Sequence, residues 1–230
     1  MSNIDLKPNH FTFGGKAYFR ANAEDVYVPG CIGEKRTPLT KENYLEVKDL
    51  IPVNKIDVIK SSVIELDTST LSKTDIGVNI KAVVPVSGVP VPATLGVDDA
   101  FKKLKSSEIK LVKFTVMNND MMKAANNSPD KIQSLINWGN DARIAIEVFV
   151  AMDATVATKF ANNASVTLSA GVDKVVKATV GVGGSSAGGT TVQMTNMGFA
   201  YLLAKIDWDA HEKKNQTRIV DLDDDQWSFS

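Results

Sequence analysis

Histidine is the first residue type to test for chemistry, because imidazole serves both acid–base work and metal binding. The chain has two, His10 and His211, near opposite ends. Neither sits in a His-x-x-x-His or similar ligand spacing, so both read as surface or structural residues. The stretch "GSSAG", Gly184 to Gly188, matches the G-x-S-x-G nucleophile elbow with Ser186 at its centre. That elbow works only as a sharp turn from a strand into a helix, and the "TTVQM" that follows is strand-like. The same glycines lack the third glycine of the dinucleotide fingerprint and a helix N-terminus to hold a phosphate, and no Walker lysine follows. Cys31, between Gly30 and Gly33, is the only cysteine. It excludes an intrachain disulfide framework and a multi-cysteine metal site, and a lone cysteine is more often buried than reactive. The expectation is a protein with no catalytic centre, no metal and no cofactor.

Lysines form the other concentration of chemistry. Lys102, Lys103, Lys105, Lys110 and Lys113 fall close together beside Phe101, Leu104 and Phe114. Cations interleaved with apolar residues suit the phosphate head groups of anionic lipid; a solvated helix face is the alternative. The net charge of −1 supplies no global pull towards polyanions. No RNP-like or zinc-finger pattern accompanies the cluster, so nucleic acid is not an expected partner.

The elements that must position these residues follow from pattern. An apolar content of 43% is enough for a core, and 230 residues fit a single domain, 1–230. The first fifty residues, broken by Pro29, Gly30, Gly33 and Pro38, read as short strands and turns, with "KENYLEVKDLI" either helix or strand. Residues 55–86 read as an antiparallel hairpin whose second arm alternates Ile76, Val78, Ile80 with polar residues. "SGVPVPATLG" punctuates it. Residues 97–139 form a helical middle, in which "SPDKIQSLINWG" has Ser128 placed as N-cap, Pro129 at the first helical position and Gly139 just past the end. Ile132, Leu135 and Ile136 share one face.

A second hairpin, 142–182, opens with "ARIAIEVFVAMDATVA". Ile144, Ile146, Val148, Val150, Met152, Ala154 and Val156 alternate with Arg143, Ala145, Glu147, Phe149, Ala151, Asp153 and Thr155, and the strand is expected to end near Phe160. An ordinary strand runs about five or six residues; this pattern lasts about three times that. Its second arm carries Val166, Leu168, Ala170, Val172, Val176, Ala178, Val180 and Val182, with Lys174 as the break. "GVGGSSAGG" reads as a flexible loop, "TTVQMTNMGFAYLLAKIDWD" as a last strand, and 210–230 as a polar, acidic tail ending in "DLDDDQWSFS". The fold class is α+β: a twisted antiparallel sheet with two long amphipathic hairpins flanked by short helices.

Strands this long, apolar on one face and small or polar on the other, have the alternation of a membrane barrel. One chain cannot close a barrel, and open edges are not tolerated in lipid, so several chains would contribute. The alternative is a soluble sheet whose apolar faces pack on the helices. No signal peptide or transmembrane helix is evident, which fits a cytoplasmic soluble form that becomes membrane-associated when active.

The order of parts resembles the pore-forming domain of gasdermins: a first hairpin (55–86), a helical middle (97–139) and a second hairpin (142–182). "LKSSEIKLVKF", Leu104 to Phe114, is similar to the segment after the first gasdermin hairpin. "NYLEVKDLI" is similar to an earlier Tyr-led stretch, and "MGFAYLLAKIDWD" to the closing strand with its Ala-Tyr pair. The resemblance covers roughly residues 40–209. The chain looks like a stand-alone member without a C-terminal inhibitory domain, similar to minimal fungal cell-death proteins. "FTFGGKAYFRANAED" stands where gasdermins have a basic amphipathic helix.

The resemblance implies a soluble monomer that binds anionic lipid through Lys16, Arg20, Lys102, Lys103, Lys105, Lys110 and Lys113. It then assembles as a homo-oligomer, or with a paralogue, and permeabilises the membrane, causing cell death. The inserting side chains would be Ile144, Ile146, Val148, Val150, Val166, Leu168, Val180, Ile76, Val78 and Ile80. Restraint would come from a partner, from a paralogue, or from the acidic tail, with Asp221, Asp223, Asp224 and Asp225 masking the lysines. A second class of function remains beside it: a structural protein whose hairpins build a tube or shell without lipid.

Overall fold

The alternation beginning at Ala142 does produce a strand, and its neighbours explain its length. The computed structural model describes residues 4–7, 9–39, 43–52, 58–66, 109–161, 165–170, 175–182, 185–195, 198–208 and 218–228. The long strand, β9 here, is Ala142–Asp153. Along one edge it pairs antiparallel with β13 (Gly198–Trp208). Its other edge is shared. Residues Ala142, Arg143 and Ile144 pair with β4 (Cys31–Arg36), while the run from Glu147 to Asp153 pairs with β8 (Ile109–Thr115). One strand carries two sub-sheets, so it must be about twice the usual length.

The outer edge of β13 is divided in the same way. Tyr201 faces Phe19 of β3 (Lys16–Phe19), and Leu203 to Trp208 take β14 (Ile219–Asp225). Around this central pair lie a meander of β1 (Ile4–Leu6), β2 (His10–Phe13) and β3, and a β4–β5 hairpin with β5 at Tyr44–Leu50. Two short strands, β6 (Ile59–Lys60) and β7 (Ile64–Glu65), lie on β8. A separate three-stranded sheet holds β10 (Ser165–Ala170), β11 (Val175–Val182) and β12 (Ser185–Thr195). The fold is α+β with a large twisted antiparallel sheet, as the sequence leads one to expect.

Local signals were reliable where they were strong. The helix Pro129–Trp138 has Pro129 in its first turn and ends at Gly139, whose φ of 61° only glycine adopts without strain. We call it α2; α1 is Asn118–Asn126. Ile132 and Leu135 are buried. Ser128 occupies the cap position, but its Oγ donates to Ala124 O at 3.0 Å instead of accepting from the first turn.

Several expectations need correction. The strand stops at Asp153, and Ala154–Ala161 is a helix, α3. Ala157 and Phe160, three apart, are both buried, so these eight residues satisfy helical as well as alternating spacing. The arms of the expected hairpin 142–182 accordingly do not pair with each other: β9 pairs with β8 and β13, and the expected second arm is itself the hairpin β10–β11, with β12 on the far side of β11. The glycine-rich "SSAGG" is the start of β12, and the last strand divides into β12 and β13 around residues 196–197. Inside the span read as helical, Ile109–Thr115 is β8. Within the acidic tail, Ile219–Asp225 is strand β14, anchored by buried Ile219 and Leu222. The helix expected at "VDDAFKKLKSS" and most of the first hairpin, including Ile76, Val78 and Ile80, lie outside the described residues.

The expected wet face of β9 is also covered. Ile144, Ile146, Val148, Val150 and Met152 are buried, and so are Ala145, Glu147, Phe149 and Ala151. On one side Phe114, opposite Val148 in the ladder, meets Phe160 of α3 edge-on at 6.0 Å. On the other side Phe149 receives Phe11, Phe13 and Tyr18 at 5.0, 5.5 and 4.8 Å. Where β13 begins, a Cβ on Gly198 would meet Ala23 O at 1.9 Å and Val26 O at 2.6 Å, so only glycine lets the Ala23–Asp25 turn pack there. Gly198→Ala is expected to cost about 1–3 kcal/mol in urea denaturation by forcing these backbones apart; an unchanged midpoint would mean the contact relaxes freely.

Candidate functional site

Glu147 is the one acid within the buried run of β9 from Ala142 to Met152. Its side chain is 8% exposed. Removing a carboxylate from water costs several kcal/mol unless donors replace the water. Three donors do so. Lys16 Nζ reaches Oε1 at 3.1 Å, while Tyr18 OH and Lys113 Nζ reach Oε2 at 2.8 and 2.7 Å. Local geometry places them there: Lys16 and Tyr18 alternate on β3, and Lys113 stands opposite Phe149 on β8. Lys113 Nζ also lies 5.9 Å from the centroid of the Phe149 ring.

The cluster continues through Lys16, which donates to Asp224 at 2.8 Å. Next to it, Asp225 accepts from Lys35 Nζ at 2.9 and 3.0 Å and from Arg143 Nε. The two carboxylates at the end of β14 are thus fastened to β3, β4 and β9. Tyr201 makes a second tie. It is fully buried, stacks on Phe19 at 5.6 Å, accepts from Leu45 N at 2.9 Å and donates to Ala21 O at 2.8 Å.

Titration follows from this geometry. Burial pushes the Glu147 carboxyl up, but the bonds from Lys113, Tyr18 and Lys16 outweigh it and hold it below the usual carboxylate range. Burial, with the Glu147 charge beside it, pushes the Tyr18 hydroxyl well above its ordinary value. Burial does the same to Tyr201.

The residues expected to bind lipid have other duties here. Lys16 and Lys113 hold Glu147. Arg20 is 5% exposed, donates to Lys7 O at 2.6 Å and lies 5.0 Å from the Phe199 ring centroid. Lys110 pairs with Glu65 at 3.0 Å. Lys102, Lys103 and Lys105 lie outside the described residues. Of the expected inserting residues, Ile144, Ile146, Val148 and Val150 are in the core, Val166 and Leu168 are buried in the smaller sheet, and Val180 is on β11. Of the idea of an acidic segment masking these lysines, the described residues show the Asp224–Lys16 pair.

Elsewhere, Ser186 lies within strand β12, not at a strand-to-helix turn. Cys31 is buried at the start of β4. His10 stacks on Trp227 at 4.2 Å, and His211 is outside the described residues. Among the described residues no group of His, Cys, Asp and Glu could hold a metal, and no helix is long and apolar enough to cross a membrane. Tyr18 and Asp225 were not anticipated as partners of β9, nor Lys35 as a partner of Asp225. The available signal was Glu147 itself, an acid set in an otherwise apolar part of the run.

Glu147→Gln keeps the shape but removes the charge that Lys16 and Lys113 face, and a loss of about 3–5 kcal/mol in urea denaturation is expected. The pH dependence has a definite sign. With its folded pKa depressed, Glu147 contributes stability above the unfolded carboxylate value, lost as pH falls through the folded one. With its folded pKa raised, Tyr18 contributes stability below its ordinary value near 10, lost as pH rises beyond it. Glu147→Gln should flatten the acid limb and Tyr18→Phe the alkaline limb; unchanged limbs would reject the assignment. Compared with known proteins, the chain matches no family, no curated protein and no solved structure.

Proposed function

We propose that the chain is a non-enzymatic, membrane-permeabilising protein that meets anionic lipid, oligomerises and inserts β-structure. One observation carries this reading. The alternation that begins at Ala142 continues past Asp153, yet in the folded chain residues Ala154–Ala161 are helical, a stretch whose spacing fits either state and whose Thr155, Val156 and Thr158 favour a strand. A segment whose pattern fits both states is where a second conformation costs least. The stored apolar side chains Ala157, Phe160, Val166, Leu168 and Ala178 are buried against the protein.

The inserting unit is then Ala154–Val182, with β9 retained up to Asp153 as its anchor. First contact with lipid falls to Lys102, Lys103 and Lys105, since Lys16, Arg20, Lys110 and Lys113 are engaged within the fold. A charge at Val148 would test folding and not insertion, because that side chain is in the core.

Dye release from liposomes with and without anionic lipid tests the reading, and leakage is expected only with anionic lipid. Replacing Thr155 and Thr158 by alanine favours the helix by about 0.5 kcal/mol each, which should slow leakage about fivefold while lipid binding is unchanged. Absence of leakage at micromolar protein for every lipid composition would reject the pore. Unchanged leakage in the folded double variant would reject α3 as the element that converts.

A further inference from the structure

The sheet edges of this molecule are treated unequally. Strand β5 carries Glu46 and Lys48, which with Glu34 and Arg36 of β4 form a ladder of ion pairs. Strand β14 is covered by α1. Asn126 Nδ2 donates to Ile219 O at 2.9 Å, its Oδ1 accepts from Ile219 N at 2.9 Å, and Asn118 Nδ2 donates to Leu222 O at 2.7 Å. Those asparagines take the backbone groups another strand would use. Strand β1 is three residues long and is followed by the Asp5–Lys7 ion pair. Charge, cover and shortness are the ordinary means of keeping an edge from pairing with another chain.

Strand β12 carries no charge, is not short, and among the described residues has no cover. It runs for eleven residues, "SSAGGTTVQMT", without a charge or a proline. One side pairs with β11, residue for residue over Thr190 to Thr195, and among the described residues no strand lies on the other. Thr191 is exposed. Gly188 and Gly189 in mid-strand permit close approach of another backbone.

From this edge we infer that β12 is the docking strand for a second copy of the same chain, paired antiparallel across a two-fold axis. Two arguments select that occupant. An uncharged strand meets no like charge in its own copy at any register, whereas β12 carries no charge by which to select a foreign strand. The sheet also has an odd number of strands. Passing β12 to the next copy's β10 with the copies similarly oriented makes a parallel seam, while β12 against its own copy joins two three-stranded sheets into one antiparallel sheet. The inference does not rest on the pore reading, because the dimer needs no lipid.

Sedimentation velocity of the full chain in lipid-free buffer, across the micromolar range, is expected to show a concentration-dependent dimer. Thr191→Lys combined with Gln193→Lys sets like charges along both facing edges and should weaken self-association about tenfold. Should that variant fail to fold, hydrogen exchange of the unaltered chain decides instead: amides of Thr190 to Thr195 should become more protected as concentration rises. A monomer throughout the range, a dimer of unchanged affinity in the folded double variant, or exchange independent of concentration would overturn the inference. Dimerisation without liposome leakage would sustain it while rejecting the pore.

Discussion

A carboxylate in the middle of an apolar strand has to be answered with donors, and much of the large sheet is arranged around that requirement. Glu147 sits where β9 is covered on both faces, so water cannot serve it. The donors come from both flanks, Lys16 and Tyr18 from the meander and Lys113 from β8. The aromatic ring of Tyr18 then fills the space over Phe149. The same side chains therefore exclude water and replace it. A slip of one residue in β9 would carry Glu147 to the face packed on Phe114 and Phe160, where an aromatic pair offers no donors. The polar cluster and the apolar core enforce the same register.

This constraint reaches the far end of the chain through Lys16, which shares its ammonium between Glu147 and Asp224. Asp225 extends it to Lys35 and Arg143. Segments remote in sequence are thereby fixed to one another by charge, while Ile219, Leu222 and Trp227 are fixed by burial. Acidity at the end of the sequence is thus a property of a paired strand. The pairs at Lys16 and Asp224 are partly exposed, and their individual contributions are modest. The buried end at Glu147 carries more of the cluster's effect.

What could be read in advance depended on whether the deciding information was local. Proline at the start, glycine at the end and three apolar residues on one face identify α2 without reference to anything else. The alternation of β9 identified a strand but not its neighbours, and it is the neighbours that make it central and bury Glu147. Residues 154–161 have a pattern compatible with either state, and packing of Phe160 on Phe114 decides for helix. The glycines of β12 gave a loop-like signal because the strand is fixed by its neighbours in sequence, Thr190 to Thr195, which pair with β11. Of the charged residues, composition could indicate a cationic surface, but not that Lys16 and Lys113 are committed to a buried acid from another strand.

These contacts also decide where the chain can change shape. Releasing β9 would expose Ile144, Ile146, Val148 and Val150, at about 1.5–3 kcal/mol each, and would leave two ammonium groups without their carboxylate. Beyond Asp153 the ties among the described residues are fewer. The smaller sheet meets the larger through the Val58–Val166 bridge, and α3 meets it through contacts to β8 and β9 that include the Phe114–Phe160 pair. A rearrangement that begins at Ala154 breaks those contacts and leaves the charge cluster intact; one that begins at Ala142 has to dismantle it. In the proposed conversion, the boundary between what persists and what rearranges would therefore fall between Asp153 and Ala154, where the strand already gives way to a helix.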